Sequence, residues 1–213
     1  MRYEIIGTGS RGNAVVIENY ILIDCGVALT RLKKHLYEVK LVLLTHAHQD
    51  HFRRSTVAAL SSARPTLRFA AGEWLAQNLV ECGVSKSNID VLQGGQLYNF
   101  GSAKVEPFAL AHDVPNFGYK VYIGAKKLIY ATDTGSLDGI EAKDFDIYMI
   151  EANHTESELT GRIAEKLKSG EYPYERNVRE NHLSKEKADE FIYNNIGQNG
   201  VYIYLHTNKN EIF

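Results

Sequence analysis

The sequence predicts an α/β (α+β) fold built from two mixed β-sheets with helices outside them. Early in each half of the chain, short apolar runs follow one another in hairpin-like pairs, and later they alternate with helix-like segments. This double pattern suits two mixed sheets packed together, because hairpins give antiparallel strands and strand–helix alternation gives parallel ones. No internal repeat, low-complexity tract or linker is visible, so we expect residues 1–213 to form one domain.

Strands are predicted where short runs of apolar and β-branched residues lie between polar or glycine-containing breaks. In chain order they are Tyr3–Gly7, Asn13–Glu18, Tyr20–Asp24, Leu41–Thr45, Leu67–Ala70, Ile89–Leu92, Ala103–Leu110, Gly118–Ile123, Lys127–Thr132, Asp146–Ile150 and Val201–His206.

Helices are predicted where apolar residues recur at helical spacing. In the first of them, Val27–Tyr37, His35 lies among basic residues and is expected to be solvated. The others are Arg54–Ala63, Gly72–Glu81, Thr155–Ser169 and Ser184–Asn195, with Gly83 and Gly170 as C-terminal stops and Ser184 as a partial N-cap.

The composition excludes several classes of protein. The formal net charge of −2 gives no global basic surface for long-range attraction to nucleic acid, although a local basic patch stays possible. Two cysteines, Cys25 and Cys82, are too few for a disulfide framework and suit buried thiols in a reducing compartment. No apolar run approaches ~18 residues, and the first residues do not form a secretory signal. We therefore expect a cytoplasmic protein with no membrane partner, and leave a homodimer open.

The segment Thr45–His51, which reads Thr-His-Ala-His-Gln-Asp-His, carries most of the chemical information. It follows Leu41–Leu44, an apolar run typical of a buried strand, so its imidazoles and carboxylate lie at a sheet edge. Imidazole is the commonest zinc ligand and also suits iron, while carboxylate suits manganese. One ion cannot easily use all four side chains from so short a loop, so the sequence predicts a binuclear hydrolytic centre.

This motif after an apolar strand resembles the signature of the metallo-β-lactamase superfamily. The resemblance implies the four-layer αββα sandwich of that superfamily, a hydrolase with two divalent ions, and further ligands at later strand ends. It assigns His46, His48 and His112 to one ion, Asp50, His51 and His206 to the other, and Asp133 to both. Zinc and manganese are the expected metals, with iron also compatible.

The candidate catalytic residues are Asp50 and His182. His182 resembles the ribonuclease Z histidine that assists proton transfer to the leaving group, and the alternative is that it caps the following helix. Either His182 or His206 could be the last metal ligand. Asp24 is a candidate to orient a metal-binding imidazole, or else a turn residue. His154 is a candidate to contact the substrate or to lie behind the ligands.

Further segments narrow the resemblance to the WalJ-like, ribonuclease Z-like branch of small bacterial and phage metallo-hydrolases. They are Gly7–Asn13, Leu22–Gly26, His112-Asp113, Thr132–Gly135, Glu151–His154, Tyr172–Tyr174 and Asn181–Ser184. The branch implies a metal-dependent phosphodiesterase acting on a nucleic-acid end, with a cyclic nucleotide as the alternative substrate. The third hypothesis is a role that does not involve phosphate, such as hydrolysis of a thioester or another small ester, or a scaffold that has lost catalysis. His112 and Asp133 are only 21 residues apart, which leaves no room for the tRNA-gripping arm of ribonuclease Z.

Three arginines are candidates to bind the phosphate of such a substrate. Arg53 and Arg54 directly follow the metal-type loop, and guanidinium can bind phosphate through two hydrogen bonds. Arg11 lies in a glycine-rich loop whose backbone N–H groups could approach an anion. The alternative for Arg53 and Arg54 is that they are solvated residues at a helix start.

Overall fold

The computed structural model describes residues 1–207. These residues divide into two compact units, one formed by Met1–Gln96 and the other beginning at Leu97. Each unit contains one six-stranded mixed sheet with its own helices. The predicted fold class, two mixed β-sheets with helices, is confirmed. The single domain over residues 1–213 stays a prediction.

The first sheet contains β1–β6 in sequence order. Strands β1–β3 pair antiparallel and β3–β6 pair parallel, which makes the sheet mixed. The elements of this unit are β1 (Tyr3–Gly7), β2 (Ala14–Ile17), β3 (Ile21–Ile23), α1 (Leu29–Leu32), β4 (Leu41–Leu44), α2 (Arg54–Ala63), β5 (Arg68–Gly72), α3 (Ala76–Glu81) and β6 (Ile89–Leu92).

Strand β4 lies in the middle of this sheet and is buried throughout, as four consecutive apolar residues predict. It pairs with β3 so that Ile23 faces Leu43. The residues that follow these two strands, Asp24 and Thr45, therefore lie side by side at one end of the sheet. An apolar core that includes Val42, Leu44 and Phe69 anchors this end.

The second sheet has the order β12-β11-β10-β9-β8-β7. Strands β10, β11 and β12 pair parallel, whereas β7 to β10 pair antiparallel. The elements are β7 (Tyr98–Asn99), β8 (Lys104–Leu110), β9 (Asn116–Ile123), β10 (Lys126–Ala131), β11 (Ile147–Glu151), α4 (Glu156–Ser169), α5 (Glu175–Asn181), α6 (Lys185–Asn195) and β12 (Val201–Leu205).

The parallel part of the second sheet brings three chain segments to the same end. Ala131 pairs with Ile150, and Glu151 pairs with Leu205. Asp133, Glu151 and His206 therefore follow or end neighbouring strands at one edge. The apolar core of this unit includes Ile129, Ile150 and Leu183.

Several local predictions need correction. The predicted helix Val27–Tyr37 is only the short α1 followed by a 3₁₀ turn at Lys33–His35. His35 is buried, not solvated, and its Nε2 lies 3.2 Å from Glu4 Oε2, because the tighter turn directs the ring toward β1. Strand β7 and helix α5 were not predicted from the sequence. Both cysteines are buried and free, as expected.

Two helix ends behave as predicted. Gly170 ends α4 with φ of 74°, a left-handed conformation that glycine adopts without steric cost. Ser184 Oγ accepts a hydrogen bond from Lys187 N at 3.4 Å and so caps α6. Within the part of the chain that the structure describes, no helix combines the length and apolarity needed to cross a membrane.

Candidate metal centre

The loop after β4 brings the three predicted imidazoles of the first unit together. The ring centroid of His46 lies 4.7 Å from that of His48 and 4.2 Å from that of His51. Asp50 Oδ2 lies 3.7 Å from His51 Nε2. His46 and His51 are fully buried, so a buried strand end presents a compact set of nitrogen and oxygen donors.

Asp24 holds this loop in place. Its Oδ2 lies 2.7 Å from His51 Nδ1, and its Oδ1 accepts a hydrogen bond from Thr45 N at 2.9 Å. A carboxylate at Nδ1 fixes the proton on that nitrogen and leaves the lone pair on Nε2, the atom that can bind a metal. Of the two readings of Asp24 left open by the sequence, the structure favours the orienting partner of a histidine.

Asn13 and Gly26 pack tightly against the same loop. Asn13 N donates to Asp50 O at 2.6 Å, and Asn13 Oδ1 accepts from Gly9 N at 2.8 Å. A Cβ atom on Gly26 would lie 1.7 Å from Asp50 O. Only glycine therefore fits at position 26, and the glycine-rich segment supports the ligand loop from behind.

The second unit forms another cluster at the end of its parallel strands. Asp133, Glu151, His182 and His206 each offer one ligand atom, and these atoms all lie within 4.8 Å of one another. The rings of His182 and His206 stack with centroids 5.2 Å apart, and the ring of His112 lies 5.7 Å from that of His182. The four predicted residues of this unit thus meet, together with one residue that had no predicted role.

That residue is Glu151, the last residue of β11, which is fully buried. Its Oε1 lies 2.7 Å from His182 Nδ1 and 3.0 Å from His206 Nδ1. Its Oε2 accepts from Thr134 N at 3.0 Å and from Leu183 N at 3.1 Å. Burial alone would raise the pKa of this carboxyl, but the hydrogen bonds from the two histidines outweigh burial and lower the pKa. Glu151 is therefore an ionised carboxylate that orients both imidazoles.

The signal for Glu151 was present in the sequence. A charged residue that ends a buried apolar strand needs a partner, and this is the same signal that made Asp24 a candidate. The pKa of His182 responds to the same contact: burial lowers it, but the hydrogen bond and charge of Glu151, together with the charge of Asp133, raise it overall.

His112 is oriented by the end of α5. Its Nδ1 lies 3.1 Å from the carbonyl oxygen of Asn181, so Nδ1 donates and Nε2 is left as the ligand atom. A Cβ atom on Gly135 would lie 2.0 Å from Glu180 O, so α5 ends in direct contact with the loop that carries Asp133. Burial lowers the pKa of His112 despite the nearby carboxylates.

Three of the site residues adopt a left-handed backbone conformation. Asp24, Asp133 and His206 have φ values of 62°, 57° and 50°. Aspartate and histidine tolerate this region better than most residues, but it remains sparsely populated. Each residue directly follows, or lies two residues beyond, a strand, so the turn redirects the chain where a side chain must enter the cluster.

Comparisons with known proteins agree with this geometry. A family profile described as "Beta-lactamase superfamily domain" matches residues 19–192. The chain belongs to the beta-lactamase superfamily. Membership in this superfamily indicates a metal-dependent hydrolase that uses divalent ions. Comparison with curated proteins finds no match.

Solved structures of the superfamily share the fold. The metallo-beta-lactamase fold protein YhfI from Bacillus subtilis matches with TM-score 0.75 and 16% identity over 99% of this chain and 87% of that chain. The short form of human tRNase Z matches with TM-score 0.73 and 16% identity over 98% and 93%. Zn²⁺-bound PqqB from Methylobacterium extorquens matches with TM-score 0.67 and 11% identity over 98% and 89%. At these identities the likeness shows the metallo-β-lactamase fold.

The donor sets of both units fit the divalent ions that the superfamily uses. Imidazole nitrogens and carboxylate oxygens, several of them buried, are the ligands that zinc, manganese and iron accept. Carboxylates behind the imidazoles supply the outer hydrogen bonds that metal-binding histidines need. His182 and His206, the two candidates for the last ligand, both belong to the same group of possible ligand residues.

The four residues predicted to contact the substrate are less well placed for that role than the predicted metal ligands are for theirs. Arg54 Nη2 pairs with Glu81 Oε2 at 2.8 Å, and Arg53 Nε contacts Ser55 Oγ at 3.4 Å. Arg11 is exposed. Both ring nitrogens of His154 are buried and have no hydrogen-bond partner within residues 1–207. Burial lowers the pKa of His154, so its imidazole is neutral and shielded. The substrate roles of these four residues stay predictions.

Proposed function

We propose that this chain is a binuclear metal-dependent phosphodiesterase that acts on nucleic-acid ends. The observation that carries the proposal is the contact between the fully buried Glu151 and the partly exposed His182, whose closest atoms lie 2.7 Å apart. A histidine held by a buried carboxylate beside metal-type ligands suits proton transfer to an oxygen leaving group. The resemblance to the WalJ-like branch supports the same reaction.

We assign the metal ligands as the sequence predicts. One ion would be held by His46, His48 and His112 and the other by Asp50, His51 and His206, and Asp133 would serve both. When bound, two such ions lower the pKa of a water molecule and stabilise the negative charge that develops on phosphate. We keep Asp50 in the catalytic set because its carboxylate would hold one of these ions.

The protein's own residues prepare the site for this reaction. Asp24 fixes the proton of His51 on Nδ1, and Asn181 does the same for His112 through its carbonyl oxygen. Glu151 holds the Nδ1 proton of His182, so His182 transfers its other proton from Nε2 to the leaving oxygen. Because Glu151 raises the pKa of His182, more of this imidazole carries that second proton near neutral pH.

The substrate class follows from the resemblance and from local charge. One structural neighbour is a tRNase Z, which supports a nucleic-acid substrate, while the short spacing between His112 and Asp133 disfavours tRNA. We assign Arg11, Arg53 and Arg54 to phosphate binding and His154 to the layer behind the reacting atoms. A cyclic nucleotide is the second candidate, favoured by the net charge of −2 and by the pairing of Arg54 with Glu81. The cytoplasm is the proposed compartment, since both thiols are free.

A substrate panel tests the proposal. The protein is loaded with zinc or manganese and offered bis-p-nitrophenyl phosphate, 5′-phosphorylated DNA and cyclic mononucleotides. We expect hydrolysis of the first two. Turnover of a cyclic mononucleotide without degradation of DNA, under the same metal conditions, would replace the nucleic-acid end by the second candidate. Hydrolysis of a thioester but of no phosphodiester would refute both.

A further inference from the structure

An exposed aromatic pair lies in the connection between α4 and α5. Tyr172 is 74% exposed and Tyr174 is 56% exposed, whereas Pro173 between them is buried. Neither phenol hydroxyl forms a hydrogen bond with any residue in the described part of the chain. Two large aromatic side chains displayed on one short connection form a surface that is suited to binding.

An ion pair between α4 and α5 supports the two tyrosines. Lys166 Nζ lies 2.8 Å from Glu175 Oε1, and Glu175 is only 2% exposed. The same ammonium lies 3.5 Å from the ring centroid of Tyr174. These contacts fasten the last turns of α4 to the start of α5 and support one side of the Tyr174 ring with a cation. The aromatic surface is therefore preorganised, which reduces the entropy lost on binding.

Helix α5 connects this surface to the candidate site. Tyr174 directly precedes α5, and Asn181 ends it after seven residues. Seven residues of α-helix span about 10 Å. Asn181 orients His112, and His182 follows immediately. Along the helix axis the backbone of Tyr174 is thus about 10 Å from the backbone at the end of α5 that carries the proposed proton donor. This length corresponds to roughly three nucleotides at ~3.4 Å per nucleotide of a stacked strand.

The charges beside the tyrosines suit phosphate groups. Within residues 166–176, Lys166 is neutralised by Glu175, which leaves Lys168 and Arg176 as exposed cations close in sequence to the tyrosines. The exposed anion on the same connection is Glu171. An aromatic pair flanked by more cations than anions matches a strand of alternating bases and phosphates, and an apolar protein segment would not need these cations.

We propose that Tyr172 and Tyr174 stack on the bases of a single-stranded nucleic acid about three nucleotides from the phosphodiester that is cleaved. This inference rests on the proposed function and deepens it. A cyclic mononucleotide is too short to place its phosphate at the metal ligands and its base on these tyrosines. The aromatic pair therefore distinguishes a strand from a mononucleotide as the substrate.

The test measures strand binding without turnover. The metal-loaded protein is titrated with a 5′-phosphorylated single strand that has non-hydrolysable phosphorothioate linkages and a fluorescent adenine analogue at successive positions. We expect the fluorescence to be quenched most about three nucleotides from the 5′ end, because stacking on tyrosine quenches the analogue. Changing both tyrosines to Ala removes two stacking contacts of about 1–3 kcal/mol each, so binding should weaken by roughly thirty-fold or more and this quenching should disappear.

Two controls isolate stacking. The double Tyr→Phe variant keeps both rings and should bind like the wild type. Tyr193→Ala removes a phenol that is 85% exposed on α6, away from the connection, and should change nothing. Thermal melting checks that each variant is folded, and the rate on bis-p-nitrophenyl phosphate, which has no bases, should be equal for all.

The outcomes separate the two proposals. Equal strand binding by the wild type and the double Ala variant overturns the stacking surface, even if bis-p-nitrophenyl phosphate is hydrolysed. A double Ala variant that changes its oligomeric state instead of its strand affinity also overturns it, in favour of a contact between two copies. If the wild type quenches the fluorescence but hydrolyses no phosphodiester, the stacking surface is supported and the proposed phosphodiesterase activity is overturned.

Discussion

Replacing Glu151 by Gln tests how the second cluster works. The carboxylate accepts four hydrogen bonds, two from the backbone N–H groups of Thr134 and Leu183 and two at the Nδ1 atoms of His182 and His206. A Gln side chain has almost the same shape, but only its oxygen accepts. If that oxygen keeps the two backbone bonds, the NH₂ group faces the imidazoles, and each must then accept at Nδ1.

The expected change in the free energy of unfolding follows from these hydrogen bonds. Two hydrogen bonds to an ionised group, each worth about 1.5–3 kcal/mol, are exchanged for neutral ones. The loss is partly offset because a neutral amide avoids the desolvation cost of a buried carboxylate. We expect the free energy of unfolding to fall by about 1–3 kcal/mol. The larger effect is on catalysis, since His182 loses the carboxylate that favours its protonated form, and a general acid contributes about 10²–10⁴-fold.

The assay compares two leaving groups. A 5′-phosphorylated oligonucleotide has an alkoxide leaving group that needs a proton, whereas p-nitrophenolate leaves without one. Glu151→Gln and His182→Ala should therefore slow oligonucleotide cleavage far more than hydrolysis of bis-p-nitrophenyl phosphate. Glu106→Gln is a matched control, because this carboxylate also lies on a strand and pairs with Lys120 at 3.0 Å, but outside the cluster. Equal losses on both substrates would refute proton transfer by His182, and loss of metal from His182→Ala would make it the last ligand.

Three further predictions concern the metals and the substrate. Elemental analysis after reconstitution with metal should find two ions per chain. Asp133→Asn should lower the occupancy of both metal sites together, and loss of only one ion would show that Asp133 binds a single ion. Gly26→Ala should weaken metal affinity measured by calorimetry and destabilise the fold by about 1–3 kcal/mol or more, because its Cβ would lie 1.7 Å from a carbonyl of the ligand loop. Gly161→Ala, in α4 with open space around it, should instead be neutral or stabilise by about 0.5–1 kcal/mol, and equal effects of the two changes would contradict the packing argument. A plot of the logarithm of the DNA-binding constant against the logarithm of the salt concentration should have a slope of roughly −1.5 to −2, and the slope should be shallower in the Arg53→Ala/Arg54→Ala double variant. An unchanged slope would show that neither arginine binds phosphate.

The first half of the candidate site was predictable because it is local in sequence. Strand β4 is an uninterrupted apolar run, and the ligands follow it within seven residues, so burial and chemistry coincide. Asp133 and His206 became candidates because they lie just beyond apolar strands and because the family resemblance implies ligands at those positions. No role was assigned to Glu151, although this residue also ends such a strand, because its partners come from distant parts of the chain.

Other elements could not be predicted, for physical reasons. Helix α5 contains a single apolar residue, Val178, in seven, so it shows no hydrophobic periodicity. Its position depends on tertiary contacts such as that between Lys166 and Glu175. His35 was assigned to a solvated helix face because its neighbours are basic, but the segment tightens into a 3₁₀ turn and buries the ring. Spacing alone does not distinguish these two local geometries.

The left-handed residues at the strand ends determine how the site can be altered experimentally. Asp24, Asp133 and His206 all have positive φ, a conformation that costs most residues about 1–3 kcal/mol. An alanine or valine scan of these positions would therefore combine loss of a functional group with added backbone strain, and the two effects would be confused. Asparagine adopts the left-handed region readily, so it is the substitution that removes charge or basicity while leaving the turn intact. A mutant library designed to give this fold a new activity should allow only Asp, Asn, His and Gly at these three positions, and should vary other residues freely.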